Sequence, residues 1–235
     1  MLFRSVLASG RPINGVATLD DILEMEKYGG YMLSFNGARI TRCYTGEIVY
    51  NRTLPPSVIR PIYETVKTYP GVDIISYTDT EILSGICSNE YTEKEKFINN
   101  MKIVPVADFP DALDFPVNKL LLPGPPELLE EIMPRLKEEY HSLLNIYRSE
   151  PYFLEIMPQN IDKAHSLQKL LSSIGLTADE MICCGDGYND LSMIEYAGLG
   201  VAMENAQPVI KEAANFVTRS NDEDGILYVI DRFMR

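Results

Sequence analysis

The sequence is short of positive charge and has no long apolar run, and each shortage excludes a class of function. Lysine and arginine number 21 against 34 aspartate and glutamate residues, which gives a net charge of -13. Proteins that bind nucleic acid carry a basic face, so nucleic acid is not an expected partner. The longest apolar runs, such as 181–184, fall far below the roughly 18 residues that cross a bilayer. A membrane partner is therefore not expected either.

Cysteine is also scarce, and the positions of the four cysteines suggest neither a disulfide framework nor a metal site. Cys183 and Cys184 are adjacent while Cys43 and Cys87 stand alone, which is neither metal-ligand spacing nor a disulfide pattern. We expect four reduced thiols. No charged N-terminal region precedes a long apolar stretch, so no secretory signal is expected and the cytoplasm is the default compartment. The length of 235 residues suits one sizeable domain, or a domain with an insertion.

What is present is an alternation of short apolar runs with amphipathic stretches, which is typical of an α/β protein with a largely parallel sheet. The middle of the chain has strands and helices of its own and separates two segments that carry complementary motifs. The sequence therefore predicts a discontinuous Rossmann-type core domain over 1–53 and 158–235. An α/β cap domain over 54–157 is expected as an insertion in it.

Local signals place several elements within this plan. We expect one helix over 16–28, a hairpin over 41–53 and a helix over 126–140 with a kink before Pro134. Thr177 and Glu180 have capping-box spacing. The aromatic residues of the middle segment are expected in its core, with a pocket lining as the alternative. They are Tyr77, Tyr147, Tyr152 and Phe153.

The strongest motif is the loop 185–190, GDGYND, which directly follows an apolar strand and precedes a helix. Loops at the carboxyl ends of parallel strands are where open α/β sheets bind ligands. Asp186 and Asp190 are able to point at one spot, and hard carboxylate oxygens suit Mg²⁺. The alternative is a plain turn in which Asn189 or Asp190 caps the helix.

Three weaker signals accompany it. Ser9, Gly10 and Arg11 follow an apolar strand, where a hydroxyl, backbone N–H groups and a guanidinium suit a phosphate group. Lys163 stands in the first turn of a predicted helix, where a cation opposes the helix dipole. Asn36 ends another strand. The alternatives are a common turn, a surface lysine and a turn asparagine.

Together these motifs resemble the Cof-type branch of the haloacid dehalogenase superfamily of phosphatases. The resemblance rests on 7–12 (LASGRP), 35–38 (FNGA), Lys163, 185–190 (GDGYND) and 197–206 (AGLGVAMENA). It runs almost the whole length of the chain and is loosest in the middle, where that branch has a variable cap. The resemblance implies a Rossmann-like core, an inserted cap, Mg²⁺ and hydrolysis of small phosphorylated metabolites such as sugar phosphates.

The resemblance also implies roles for the residues that act on the phosphoryl group. Ser9 would donate a hydrogen bond to the transferring group, and Lys163 would neutralise its charge. Asp186 would bind Mg²⁺ directly. Asp190 would support the metal through a water or a hydrogen bond.

Four further residues would contact the phosphate or the rest of the substrate. They are Gly10, Arg11, Asn36 and Asn189. A Mg²⁺ ion and a small phosphorylated molecule are thus the expected cofactor and partner. No feature of the sequence specifies an oligomeric state.

One expected part is missing from the pattern. The family's reaction starts with an aspartate nucleophile, and a second aspartate serves as general acid and base, both on the first core strand. This chain opens in the strand that the family places second. Its early acidic pair, Asp20 and Asp21, lies in an amphipathic helical pattern. We therefore expect that the first core strand is absent and that the chain as given is inactive.

Two explanations of this absence stay open. One is a pseudoenzyme that binds a metal or metabolite without catalysis. The other is an incomplete gene model, which the run 2–5 (LFRS) favours because it resembles a translated sequencing adapter. A phosphotransferase or phosphomutase on the same core is a further alternative, since these enzymes differ only in what attacks the phospho-enzyme.

Overall fold

The computed structural model describes residues 3–234, so Leu2 of the adapter-like run lies outside the described residues. The chain divides into two compact units, Met1–Ile161 and Asp162–Arg235. The expected core and cap boundaries differ from this division and stay a prediction. Over the described residues, no helix combines the length and the apolar character needed to cross a membrane.

The first unit begins with a four-stranded sheet in the order β1-β2-β3-β4. Its strands are β1 (Val6–Ala8), β2 (Tyr31–Ser34), β3 (Arg39–Arg42) and β4 (Ile48–Asn51). β1 and β2 are parallel, whereas β2, β3 and β4 pair antiparallel. The expected hairpin is confirmed by β3 and β4, which Gly46 connects with a φ of 68°.

The predicted helix over 16–28 is two helices, α1 (Asn14–Ile22) and α2 (Met25–Tyr28). Glu24 separates them because it adopts the left-handed conformation, with a φ of 49°. A single left-handed residue ends the helical hydrogen-bond ladder. Asp20 and Asp21 both lie on α1, as the amphipathic pattern predicted.

The second sheet of this unit has six strands in the order β7-β6-β5-β8-β10-β9. They are β5 (Ile75–Tyr77), β6 (Glu81–Ser84), β7 (Lys102–Pro105), β8 (Leu120–Pro123), β9 (Leu144–Glu150) and β10 (Phe153–Pro158). Only β6 and β7 pair in parallel, so this sheet is mostly antiparallel. The largely parallel pattern expected from the sequence does not extend to this sheet. Short turns join β5 to β6 and β9 to β10 as antiparallel hairpins, and β8 pairs antiparallel with both β5 and β10.

Helices cover one face of the six-stranded sheet. The helices of this part are α3 (Pro56–Val66), α4 (Glu90–Asn99), α5 (Phe109–Ala112) and α6 (Pro126–Tyr140). Ile62 of α3 and Ile132 of α6 are fully buried against Leu122 and Leu154 of the strands. α6 runs continuously through Pro134. The expected kink before Pro134 stays a prediction.

The opposite face of the six-stranded sheet carries a different set of side chains. Tyr77, Leu121 and Phe153 from its strands pack there with Phe35 and Ala38, which border the first sheet. Of the four aromatic residues expected in the core, Tyr77 and Phe153 are buried, while Tyr147 and Tyr152 are half-buried at its margin. This face therefore connects the two sheets of the first unit.

The second unit is a three-stranded parallel sheet in the order β11-β12-β13, with helices around it. Its strands are β11 (Ile182–Gly185), β12 (Leu199–Ala202) and β13 (Phe216–Val217), and its helices are α7 (Lys163–Ser173), α8 (Leu191–Tyr196), α9 (Pro208–Ala213) and α10 (Gly225–Phe233). The capping box of Thr177 and Glu180 is confirmed.

β1 and β11 are both edge strands of their sheets. Within residues 3–234, β1 pairs with β2 alone and β11 pairs with β12 alone. The absence of the first core strand stays a prediction.

Candidate active site

The loop after β1 is fixed by backbone contacts to the loop after β2. The Ser9 N–H donates to the Leu33 carbonyl at 2.8 Å, and the Asn36 N–H donates to the Ser9 carbonyl at 3.0 Å. The Ser9 hydroxyl accepts a hydrogen bond from the Arg11 N–H at 3.1 Å. A hydroxyl that accepts in this way still has its own proton to donate. Ser9 is thus both a turn residue and a positioned donor.

Asn36 stands in a strained turn beside this loop. Phe35 and Asn36 have φ values of 52° and 54°, and Gly37 follows with a φ of 102°. Left-handed conformations in successive non-glycine residues cost about 1–2 kcal/mol each, and such strain concentrates at functional sites. A Cβ on Gly10 would lie 2.8 Å from Asn36 Oδ1, so a larger residue at this position would displace the Asn36 amide.

The first unit therefore brings Ser9, Gly10 and Asn36 together. Their contact with a substrate stays a prediction. Arg11 is exposed beside them. Asn36 Nδ2 donates to the Tyr147 hydroxyl of β9 at 3.0 Å. Sequence reasoning missed this contact, because the two residues lie 111 positions apart.

In the second unit, Lys163 and Asp190 form a buried ion pair. Lys163 Nζ donates to Asp190 Oδ1 at 2.5 Å, and the two side chains are 4% and 8% exposed. The alternative of a surface lysine is therefore wrong. Asp162 caps α7 by accepting a hydrogen bond from the His165 N–H at 2.8 Å. This cap fixes the helix terminus that carries Lys163.

The second carboxylate oxygen of Asp190 binds backbone N–H groups of the loop that follows β11. Oδ2 accepts the N–H groups of Asp186 and Gly187, both at 3.0 Å. A Cβ on Gly185 would lie 2.6 Å from the Asp190 Cβ, which explains the glycine. Both carboxylate oxygens of Asp190 are thus engaged by protein donors. This arrangement favours a supporting role for Asp190 over direct metal binding.

Unlike the buried side chain of Asp190, the side chain of Asp186 is exposed. Its Oδ2 accepts a hydrogen bond from Asn205 Nδ2 at 3.1 Å, and Asn205 Oδ1 in turn accepts the Asn221 N–H at 3.0 Å. Asn205 belongs to the 197–206 motif, but no role was predicted for it from its residue type or spacing. Its amide holds the Asp186 carboxylate in one orientation. Asn189 is exposed in the same loop.

The donor set near Asp186 fits Mg²⁺. Across residues 3–234, no three histidine, cysteine, aspartate or glutamate side chains cluster as a metal-binding group. Mg²⁺ does not need such a cluster, because it keeps several waters and binds through one or two carboxylates and substrate phosphate oxygens. An exposed, oriented carboxylate such as Asp186 meets this requirement.

The thiols take no part in these arrangements. All four cysteines are free, which confirms the expectation from their spacing. Burial raises the pKa of the Cys183 thiol to about 12 and that of Cys184 to about 11. Both groups are therefore protonated, and neither is a nucleophile at neutral pH.

The second unit thus combines a three-stranded parallel sheet with a loop at the carboxyl end of β11 that carries Asp186 and Asp190, and it buries Lys163 against Asp190. Residues 3–230 match the family model of the haloacid dehalogenase-like hydrolases. The chain belongs to this family. Family resemblance makes it a phosphoric monoester hydrolase.

Individual relatives agree with this assignment. The chain is 32% identical over 234 residues to YxeH of Bacillus subtilis (strain 168), whose name proposes a phosphatase, with 96% of this chain and 83% of YxeH covered. A haloacid dehalogenase-like hydrolase from Bacteroides thetaiotaomicron is 44% identical with a TM-score of 0.94, over 97% of this chain and 86% of that one. The subclass IIB sugar phosphatase BT4131 is 25% identical with a TM-score of 0.75, over 97% and 85% of the two chains.

Proposed function

We propose that this protein acts on small phosphorylated metabolites, sugar phosphates among them, with Mg²⁺ as cofactor. The observation that carries the proposal is the buried Lys163–Asp190 pair, which fixes a cation next to a loop with one exposed carboxylate, Asp186. A metal ion and a lysine reverse the local field of a chain whose net charge is -13. An anionic substrate is then accepted by an acidic protein.

Each residue has a separate part in the proposal. Asp186 would hold Mg²⁺, which when bound neutralises phosphate charge and orients the phosphoryl group. Lys163 places a cation at the same group, and Asp190 keeps that lysine in position. Within the first unit, Ser9 and Asn36 offer a hydroxyl and an amide, which are groups that donate to phosphate oxygens.

We further propose that the 235-residue chain does not complete the covalent step. No described residue is placed as the aspartate nucleophile: Asp20 and Asp21 lie on α1, and Asp190 is engaged by three donors. Oriented cations without a nucleophile bind phosphate but do not form the phospho-enzyme. A non-catalytic metabolite-binding role is the second candidate, and the same observation favours it.

Binding and turnover of the purified chain test these proposals together. We expect Mg²⁺-dependent thermal stabilisation by inorganic phosphate, and no release of p-nitrophenol from p-nitrophenyl phosphate above background. Metal-dependent turnover that Asp186→Ala abolishes would show that a nucleophile is present. Absence of any phosphate-dependent stabilisation would overturn the proposed function itself. Transfer of phosphate to a sugar acceptor would identify a phosphotransferase instead.

Two matched variants separate the assigned roles. Asp186→Asn removes the metal's carboxylate, so the Mg²⁺ concentration that gives half-maximal stabilisation should rise roughly tenfold or more. Lys163→Met leaves that concentration unchanged but weakens phosphate binding, and excess Mg²⁺ should not restore it. If both variants respond to Mg²⁺ in the same way, the two roles are wrongly assigned.

A further inference from the structure

In the second unit, the segment that follows β12 lies along the loop that follows β11. The Met203 N–H donates to the Gly185 carbonyl at 3.0 Å, and the Gln207 N–H donates to the Asp186 carbonyl at 3.1 Å. Asn205 lies between these two backbone contacts. Its backbone is therefore held beside the Asp186 loop from both sides, and its side chain starts from a fixed position.

The orientation of the Asn205 amide follows from a neighbour that is able only to donate. The backbone N–H of Asn221 lies 3.0 Å from Asn205 Oδ1. Because a backbone N–H has no acceptor, the atom that faces it must be the amide oxygen. The amide nitrogen then faces the other way, and Nδ2 donates to Asp186 Oδ2 at 3.1 Å. Turning the amide around would lose both hydrogen bonds.

This hydrogen bond makes the two carboxylate oxygens of Asp186 unequal. Oδ2 accepts the Asn205 amide, whereas no residue in the described part of the chain donates to Oδ1. The positive end of an N–H group beside Oδ2 repels a cation that approaches this oxygen. A cation therefore meets a carboxylate of fixed orientation that offers it one oxygen, Oδ1.

A carboxylate of this kind does not suit all divalent cations equally. Mg²⁺ is small, demands near-octahedral geometry, keeps several waters and is held by few carboxylate oxygens. Ca²⁺ is larger and takes about 6–8 oxygen ligands in a flexible arrangement, often with both oxygens of one carboxylate. A rigid carboxylate with one free oxygen thus meets the needs of Mg²⁺ and supplies Ca²⁺ with too few ligands.

We propose that Asn205 is a positioning residue that makes the Asp186 site prefer Mg²⁺ to Ca²⁺, an inference that rests on the function proposed above. The amide acts through the Asp186 carboxylate and does not touch the ion. Hydrogen-bond partners of metal ligands commonly tune metal affinity about 10- to 100-fold. An asparagine that only joined two loops would need its contact with Asn221 and would have no effect on the choice of ion.

Thermal stabilisation of the whole chain by MgCl₂ and by CaCl₂ tests this preference. Phenyl phosphate is present at a fixed concentration in place of inorganic phosphate, so that calcium does not precipitate. The measured quantity is the calcium-to-magnesium ratio, which is the Ca²⁺ concentration for half-maximal stabilisation divided by the corresponding Mg²⁺ concentration. In the wild-type chain this ratio should be well above one.

Asn205→Ala removes the donor to Asp186 Oδ2. The Mg²⁺ concentration for half-maximal stabilisation should rise roughly tenfold, because the carboxylate is no longer held in one orientation. The Ca²⁺ concentration should rise less than about threefold, because both carboxylate oxygens are then free for the larger ion. The calcium-to-magnesium ratio should therefore fall about threefold or more.

Asn205→Asp separates the donor from the connection between the loops. The aspartate keeps an oxygen for the Asn221 N–H but has no N–H to give to Asp186. Its added charge should tighten the binding of both ions, and Ca²⁺ should gain about threefold or more over Mg²⁺ because it takes more oxygen ligands. Because the connection to Asn221 is kept, a purely structural role of Asn205 predicts no change in the ratio.

Gln207→Ala is the matched control, two residues further along the chain. Its exposed side-chain amide accepts a hydrogen bond from the Tyr188 hydroxyl at 3.4 Å, and its contact with Asp186 is made by the backbone N–H, which alanine keeps. The calcium-to-magnesium ratio of this variant should equal that of the wild-type chain.

Each other outcome has one meaning. A ratio that stays unchanged in either Asn205 variant, that falls equally in Gln207→Ala, or that equals one in the wild-type chain overturns the inference while the proposed function stands. A wild-type chain that neither ion stabilises overturns the proposed function and the inference with it.

Discussion

Replacement of Asp190 by alanine is the sharpest perturbation of the second unit. The carboxylate of Asp190 accepts the Lys163 ammonium at 2.5 Å and two backbone N–H groups at 3.0 Å. Hydrogen bonds to a charged group contribute about 1.5–3 kcal/mol each, and a buried pair that loses one partner costs about 3–5 kcal/mol. Because these contributions overlap, we expect Asp190→Ala to lower the free energy of unfolding by about 4–5 kcal/mol.

Asp186→Ala is the matched control, four residues earlier in the same loop. Asp186 is exposed and accepts one side-chain hydrogen bond, from Asn205. Its removal should cost about 0.5–1.5 kcal/mol. Asp190→Asn should fall between the two, because its remaining oxygen is able to accept the N–H groups of Asp186 and Gly187.

Urea unfolding followed by circular dichroism, in buffer with a chelator, measures these differences without Mg²⁺. Hydrogen exchange locates them, since the amides of Asp186 and Gly187 should lose protection about a hundredfold or more in Asp190→Ala. A direct metal ligand would behave differently, because its removal would matter only when Mg²⁺ is present. Equal, small losses for Asp186→Ala and Asp190→Ala in the chelator would refute the supporting role of Asp190.

Two further predictions concern the rest of the molecule. Asp73 is fully buried, and its carboxylate accepts three backbone N–H groups and two hydroxyls, so Asp73→Ala should lower the free energy of unfolding by about 3–5 kcal/mol in urea titrations; a loss below 1 kcal/mol would contradict this reading. Burial raises the pKa values of Cys43 and Cys183 to about 12 and of Cys184 to about 11, whereas Cys87 is exposed. Thiolate is the reactive form, so at pH 8 iodoacetamide should label Cys87 first, with the other three reacting faster as the pH rises; equal initial rates would be inconsistent with it.

Local signals in the sequence were enough where one segment determines its own structure. The hairpin of β3 and β4 follows from a turn dipeptide between two short strands, and the capping box at Thr177 follows from its spacing. β13 was not predicted because it has two residues, and β7 because proline ends it. Such edge elements depend on neighbouring strands more than on their own side chains.

The candidate site was predicted to the extent that its motifs are local. The loops that carry Ser9 and Asp186 follow apolar strands, so their place at strand ends could be read from the pattern. The hydrogen-bond partners of these residues could not be predicted from the pattern. Asn36 binds Tyr147, which lies 111 positions away, and Lys163 binds Asp190, which lies 27 positions away. A hydrogen-bond partner that comes from a distant element leaves no periodicity in the sequence.

The two buried lysine–carboxylate pairs of this chain show why composition alone does not assign a role to a charge. Lys163 and Asp190 share a short hydrogen bond, and the second carboxylate oxygen is also satisfied, so the pair holds a loop in place. Lys119 and Glu155 are equally buried but leave one oxygen without a donor. A complete network is stabilising and resists substitution, whereas an incomplete one costs stability. Apolar replacement of both residues should therefore weaken the second unit in the first case and preserve the fold of the first unit in the other.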